Sequence, residues 1–339
     1  MSGQQGNWQI EGWQVRIELF LWNQRIPTYM SSSSITKLHA FLTLGRVSNL
    51  PTVWTNCLAA WVLNRMGQEL PLFELPNTSG VGALSFEPKQ WFWIILGSSL
   101  LYIAGTTLND AFDVEYDRKY NRDRPIPSGI LKCWEVWTVG FIQLVSGATI
   151  LYLRADVSGI YLILLVMTIL AYDAVHKNWG GSVLLMGGCR LFLWWTIATA
   201  GSDISQELSP LLLVWSFAIL LYIVGITSVA RGEATGTLPA VPWPFILLYI
   251  QFLLSLFFCI YSGRWIVLIF VLLLAYGIWH GVQQVKLKGK NIGRGVALWL
   301  ALITIGDAVA IGLVVPVLGL LALLGFPLGI ILQRKYAAT

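Results

Sequence analysis

Charge is scarce in this chain. Of its 339 residues only 12% are Asp, Glu, Lys or Arg, against 56% hydrophobic, and the mean hydropathy is +0.68. A water-soluble domain carries roughly 25% charged residues, so the composition excludes a soluble globular protein and reads as an all-α polytopic membrane protein. Histidine is nearly absent, with only His39, His176 and His280, and the four cysteines Cys57, Cys133, Cys189 and Cys259 form no C-x-x-C pair. That pattern suggests neither a zinc site nor a disulfide framework, and the cysteines read as packing residues. The net charge of +5 is too small to imply nucleic acid. No internal repeat is visible, and the first 38 residues lack the basic start and continuous apolar core of a signal peptide.

Long apolar runs are what the chain has in abundance. Ten are predicted as spans, at 41–63, 91–108, 134–153, 160–172, 182–200, 211–229, 245–261, 265–280, 295–314 and 317–332. The last two count as one broken helix or as two spans, giving nine or ten; Pro316 before a second apolar run favours two. Pro51 is expected to kink the first, and a tight turn is expected at 262–264. Residues 1–40 read as a polar segment, interfacial or disordered, and 41–335 as the membrane domain. Of the 22 Lys and Arg, all but five fall on one side of this layout. Arg65, Lys89, Arg154 and Arg264 lie on the other side and Arg190 lies within a span. The positive-inside rule makes the richer side cytoplasmic. Segments 106–129, 176–181, 230–243 and 283–294 are expected to share it.

The chemistry concentrates in 106–129, TTLNDAFDVEYDRKYNRDRPIPSG. On a helix continued past the second span, Asn109, Asp113 and Asp117 fall at i, i+4 and i+8, with Asp110 beside them. Such a set of hard oxygens repels itself unless a cation holds it, and suits Mg²⁺ bound together with substrate phosphate. The basic residues behind it, Arg118, Lys119, Arg122 and Arg124, offer charge for that phosphate. Elsewhere the membrane segments carry isolated polar groups. Arg46, Asn49 and Asn56 open the first span, Tyr172, Asp173 and Lys177 end the fourth in Y-D-A-V-H-K, and Arg190 and Asp307 lie at similar depth. Intramembrane charges are site candidates by default, and the opposite charges of Arg190 and Asp307 suggest a pair. That pair reads either as part of the site or as a buried structural contact.

The N-D-x-x-D-x-x-x-D string with the following R-P-x-x-x-G turn resembles the first aspartate-rich motif of the UbiA superfamily of intramembrane prenyltransferases. The match runs through Asn109, Asp110, Asp113, Asp117, Arg124, Pro125 and Gly129. The resemblance implies a helical bundle around a central cavity, with a polar cytoplasmic cap and a lipid-facing portal. It also implies Mg²⁺-dependent transfer of an isoprenoid chain from its pyrophosphate to an aromatic or other lipophilic acceptor, in a bacterial plasma or inner membrane. Carried onto this sequence, Asn109, Asp113 and Asp117 would hold metal. Asp110, Tyr172 and Lys177 would serve catalysis, and Arg46, Asn49 and Arg124 would bind the pyrophosphate; the family pattern does not supply Arg190, which joins the catalytic set as a buried arginine, or Arg231, which joins the pyrophosphate set as a cation of the polar cap. The family's second D-x-x-x-D motif has no counterpart: S-V-A-R-G-E-A-T-G puts Ser228 and Gly232 where its aspartates stand, leaving Glu233 as the metal-side carboxylate and Arg231 as an added positive charge. More narrowly, the G-R-V-S-N-L-P-T-V-W-T-N, C-R and A-R-G-E strings resemble a UbiA-like subgroup of the bacterial ebo gene cluster. Two other readings compete with it. A CDP-alcohol phosphotransferase needs D-G-x-x-A-R ahead of its acids, which is missing. A degenerate relative that binds or carries a lipid or pigment precursor would account for the lost second motif.

Overall fold

A computed structural model describes residues 37–68, 87–201, 207–233 and 235–336. Residues 1–36 of the polar N-terminal segment, and 69–86 of the loop after the first span, lie outside it. Among the described residues every regular element is helical, and each predicted apolar run appears as a helix or a helix pair.

The first run is broken, not kinked. Helix α1 (Lys37–Leu44) stops at Gly45, and Arg46 takes a left-handed backbone (φ 42, ψ 47). A 3₁₀ turn (Val47–Asn49) then leads into α2 (Leu50–Gly67). Pro51 lies in the first turn of α2, where an absent N–H leaves no bond unmade and the fixed φ favours helix initiation. The proline therefore begins a helix where the sequence suggested one bent midway. The left-handed conformation of Arg46 is unfavourable for a residue with a Cβ, so packing at this break holds it there.

After α2 come α3 (Pro88–Phe112), the short α4 (Val114–Tyr120), α5 (Cys133–Arg154), α6 (Gly159–Val175), α7 (Ser182–Ala198) and α8 (Pro210–Ala230). They are followed by α9 (Trp243–Ser262), α10 (Leu268–Lys286), α11 (Asn291–Gly312), α12 (Pro316–Leu323) and α13 (Gly325–Gln333). By length and composition seven described segments can cross a membrane: α3, α5, α8, α9, α10 with the 3₁₀ turn before it, α11, and the run Pro316–Gln333 that α12 and α13 share. Helices α6 and α7 are shorter apolar helices. The predicted tight turn is present: α9 ends at Gly263 with φ 66, a value that glycine adopts without a Cβ penalty.

Helix α2 runs through the interior, packed on α3, α7, α8 and α11, and α11 in turn touches α8, α9, α10 and α12. In α11 83% of the apolar window is buried, against 17% for Pro316–Gln333, so the last run forms an outer wall. It folds back along α11. Gly319 lies against Gly312 and the carbonyl of Ala308, and Gln333 Nε2 donates to Ala297 O at 3.0 Å. The two final runs are therefore antiparallel neighbours, as the proline indicated. Glycines also let α3 and α5 meet backbone to backbone, with Gly97 against the carbonyl of Gly147, the small-residue packing that membrane helices use in place of a hydrophobic driving force.

Candidate active site

Helix α3 delivers the acidic stretch to one end of the bundle. The backbone keeps its i→i−4 bonds across the junction, Asp113 N to Asn109 O at 3.0 Å and Asp117 N to Asp113 O at 2.9 Å. At Asp113, however, the chain leaves helical geometry (φ −82, ψ 1) before α4 begins. The expected single face of Asn109, Asp113 and Asp117 is therefore not formed. Asn109 and Asp113 line a cavity of about 710 Å³, while Asp110 and Asp117 are not among its lining residues. All four are buried.

Arg124 explains where the other two acids go. Its Nη1 donates to Asp110 Oδ1 at 3.0 Å and to Asp117 Oδ2 at 3.1 Å. The R-P-I-P-S-G turn holds the arginine there, closed by Ser128 N to Arg124 O (2.9 Å) and Leu131 N to Pro125 O (3.0 Å). Gly129, at φ 79, takes the left-handed position. Burial works against the Arg124 charge, but the carboxylates of Asp110, Asp117 and Asp113 outweigh it and raise its pKa. Asp110 and Asp117 thus support a guanidinium that itself lines the cavity.

The end of α6 closes the site from the opposite side. His176 Nε2 and Lys177 Nζ both meet Asp113 Oδ2, at 3.1 and 3.0 Å. Burial opposes ionisation of Asp113, yet the hydrogen bond and charge of His176, with those of Lys177, hold its carboxyl below the ordinary aspartate range. Tyr172 stacks on His176 with ring centroids 5.0 Å apart, and the Lys177 ammonium lies 4.3 Å from the centre of the Tyr116 ring, a cation–π contact. Asn109 Nδ2 donates to Asp173 Oδ1 at 3.0 Å.

The remaining candidates divide. Arg46 and Asn49 line the cavity, and Asn49 Nδ2 donates to the Tyr102 hydroxyl at 3.2 Å. Arg231 also lines it, but its guanidinium donates to the carbonyls of Gly180 (2.6 Å), Trp179 (2.9 Å) and His176 (3.3 Å) and to Ser182 Oγ (2.6 Å). It ties the loop between α6 and α7 to the end of α8. Glu233 lines the cavity and lies against Gly293 in the first turn of α11. These contacts bring 106–129, 176–181, 230–243 and 283–294 to one end of the bundle.

Arg190 sits about two turns down α7, 8% exposed, on the inner wall of the same cavity. It does not touch Asp307. Its Nη1 donates to Asn56 Oδ1 at 2.9 Å and its Nη2 to Thr52 Oγ1 at 3.0 Å. Asn56 Nδ2 and Thr55 Oγ1 in turn donate to Asp307 Oδ2 at 2.7 and 2.6 Å. The expected pair is replaced by a neutral relay, and Asp307 lies behind the cavity wall.

A protein-family model, the UbiA prenyltransferase family, matches residues 80–301. The chain belongs to that family. A curated relative, the digeranylgeranylglyceryl phosphate synthase of Methanosphaera stadtmanae, is 29% identical over 133 residues. The match spans 38% of this chain and about half (47%) of that relative's length. Two solved structures share the fold. The apo structure of a UbiA homologue from Aeropyrum pernix K1 has a TM-score of 0.56 at 16% identity, covering 78% of this chain and 96% of that one. A UbiA homologue from Archaeoglobus fulgidus bound to GPP and Mg²⁺ has a TM-score of 0.52 at 13% identity, covering 84% and 99%.

At the position of the family's second acidic motif, Ser228 Oγ donates to the Val224 carbonyl at 2.7 Å, turned back onto its own helix. His176 and Tyr102 receive no role from the sequence, and Asp173 is noted there only beside Tyr172 and Lys177. Helical spacing flags the first, because 172, 173, 176 and 177 would share one face of α6 continued by two residues. Tyr102 lies two turns before Asn109.

Proposed function

We propose that this chain is a Mg²⁺-dependent intramembrane prenyltransferase, moving an isoprenoid chain from its pyrophosphate to a lipophilic acceptor. The observation that carries the reading is one cavity with a mixed acid and base cap, Asp113 with His176, Lys177 and Arg124, above apolar walls that include Leu165, Ile169, Ile223 and Ile226. The cap faces the cytoplasm of a bacterium in this reading, because the basic residues gather there.

The residues suit the metal. Asn109 and Asp113 from one wall and Glu233 from the other offer hard oxygens to a cavity that also holds cations for phosphate. Asp117 belongs with Asp110 as a support for Arg124. Bound Mg²⁺ would neutralise the developing charge of the leaving group. Lys177 and Arg124 bind the pyrophosphate oxygens and stabilise the charge that they gain as the allylic carbon–oxygen bond breaks. Arg231 holds the loop on which Lys177 stands. The apolar walls exclude water from the allylic carbon, so that the acceptor forms the new bond and releases its proton.

A second reading is favoured by Ser228 and Gly232: a binding or carrier protein that retains the cavity without turnover. Incubating the purified protein with a panel of allylic diphosphates and membrane extract separates the two. Pyrophosphate release that requires Mg²⁺ and stops with a chelator supports transfer. Binding of an allylic diphosphate without release, across all extracts, supports the carrier.

A further inference from the structure

The geometry points to Asp173 as a metal-binding carboxylate that does from α6 what the missing second motif would do from α8. This inference rests on the proposed Mg²⁺ site and names a ligand for it. Asp173 is 4% exposed, lines the cavity, and is tied by Oδ1 to the amide of Asn109. Its Oδ2 is buried, and no hydrogen-bond donor among the described residues reaches it. A buried carboxylate oxygen in that state is unfavourable unless a cation or a proton takes it up.

The surrounding residues offer a cation further oxygens. The amide of Asn109 spends its N–H on Asp173, which leaves the amide oxygen as its acceptor. Asp113 takes both His176 and Lys177 on Oδ2, so Oδ1 stands outside those contacts. Three side chains of two helices, Asn109, Asp113 and Asp173, thus each keep one oxygen apart from their ion pairs and neighbours at a single cavity. Asp117 does not, because Arg124 and Asn121 occupy its two oxygens. A cation held between α3 and α6 would fix the cap from both sides, where a set drawn from α3 alone would not.

The test uses Mn²⁺ alone, titrated into the full chain in lipid nanodiscs and followed by loss of the free-ion electron paramagnetic resonance signal. Asp173→Asn keeps an acceptor for Asn109 and removes only the charge. It should weaken Mn²⁺ binding by about tenfold or more, whereas Glu115→Gln, which removes an exposed acid of the same cap, should change it less than about twofold. Asp173→Ser serves where Asp173→Asn is not monodisperse. Wild-type binding that persists within twofold in either folded variant overturns the inference and leaves the function standing. A wild type that leaves Mn²⁺ free overturns both. A chain that binds Mn²⁺ through Asp173 yet transfers nothing supports the inference and overturns the function.

Discussion

The cap of the bundle and its interior solve the same problem differently. In the cap, charges meet directly: Arg124 on Asp110 and Asp117, and Lys177 on Asp113, whose Oδ2 also meets His176. In the interior, Arg190 and Asp307 never touch, and Asn56 stands between them, accepting from one and donating to the other. Near water, a direct contact can open and be remade with phosphate at little desolvation cost, which suits a site that must admit a charged substrate. At membrane depth a charge released from its partner has no water to receive it. A neutral relay through Asn56, with Thr52 and Thr55 beside it, serves both charges, while Asp307 Oδ1 stays buried with no hydrogen-bond partner among the described residues. The cap is built to exchange partners and the interior to keep them.

Breaking the cap should have the largest effect on chemistry. Asp113→Ala removes a cavity oxygen and strips His176 and Lys177 of their partner; transfer should fall by about 100-fold or more in a protein that remains folded. Unchanged turnover would make the cap ornamental. Breaking the interior should do the converse. Asn56→Leu leaves Arg190 and Asp307 buried without the amide between them and should cost about 1–3 kcal/mol of stability, as a buried group left short of a hydrogen-bond partner does. Thermal unfolding in detergent reads it. Exchanging the charges, Arg190→Asp with Asp307→Arg, should not restore the fold, because Asn56 presents its oxygen to one side and its N–H to the other. A well-folded double variant would show that the relay has no direction. A smaller effect is expected from Arg124→Lys. One ammonium can still bridge Asp110 and Asp117, but it loses the planar fork that meets phosphate, so kcat/KM should drop by about tenfold with little change in stability.

These two regions were also unequally legible. The cap could be read because N-D-x-x-D-x-x-x-D and R-P-x-x-x-G are local strings, and helical spacing joins Asn109 to Asp113. The reading failed where geometry departed from the ideal helix. The chain turns at Asp113, and Asp117 ends on Arg124 with no place at the cavity. The interior could be read only as depth. The turn count puts Arg190 and Asp307 at matching levels, but Asn56 and Thr52 are ordinary polar residues of another helix, and nothing local marks them as the link. The first span shows the same limit: Pro51 signals a disruption, and only Gly45 and the left-handed Arg46 make it a break.

The smallest effect sharpens the contrast through acid. The carboxyl of Asp113 lies outside the spans and is held below its ordinary value of 3.8: burial opposes its ionisation, and the hydrogen bond and charge of His176, with Lys177, overcome that opposition. A group whose folded pKa is depressed contributes stability that is present above the unfolded value and is lost as pH falls through the folded one. The difference in thermal midpoint between wild type and Asp113→Asn, measured without divalent cation, should therefore persist as pH falls to about 4 and shrink below it. The comparison with Asp113→Asn matters because other carboxylates titrate in the same range and cancel in the difference. A difference that already fades between about pH 7 and about pH 5 would mean that the carboxyl is not held down by its basic partners. The cap would then depend on the ionisation of those partners, and its charges would be arranged otherwise than the contacts at Asp113 Oδ2 require.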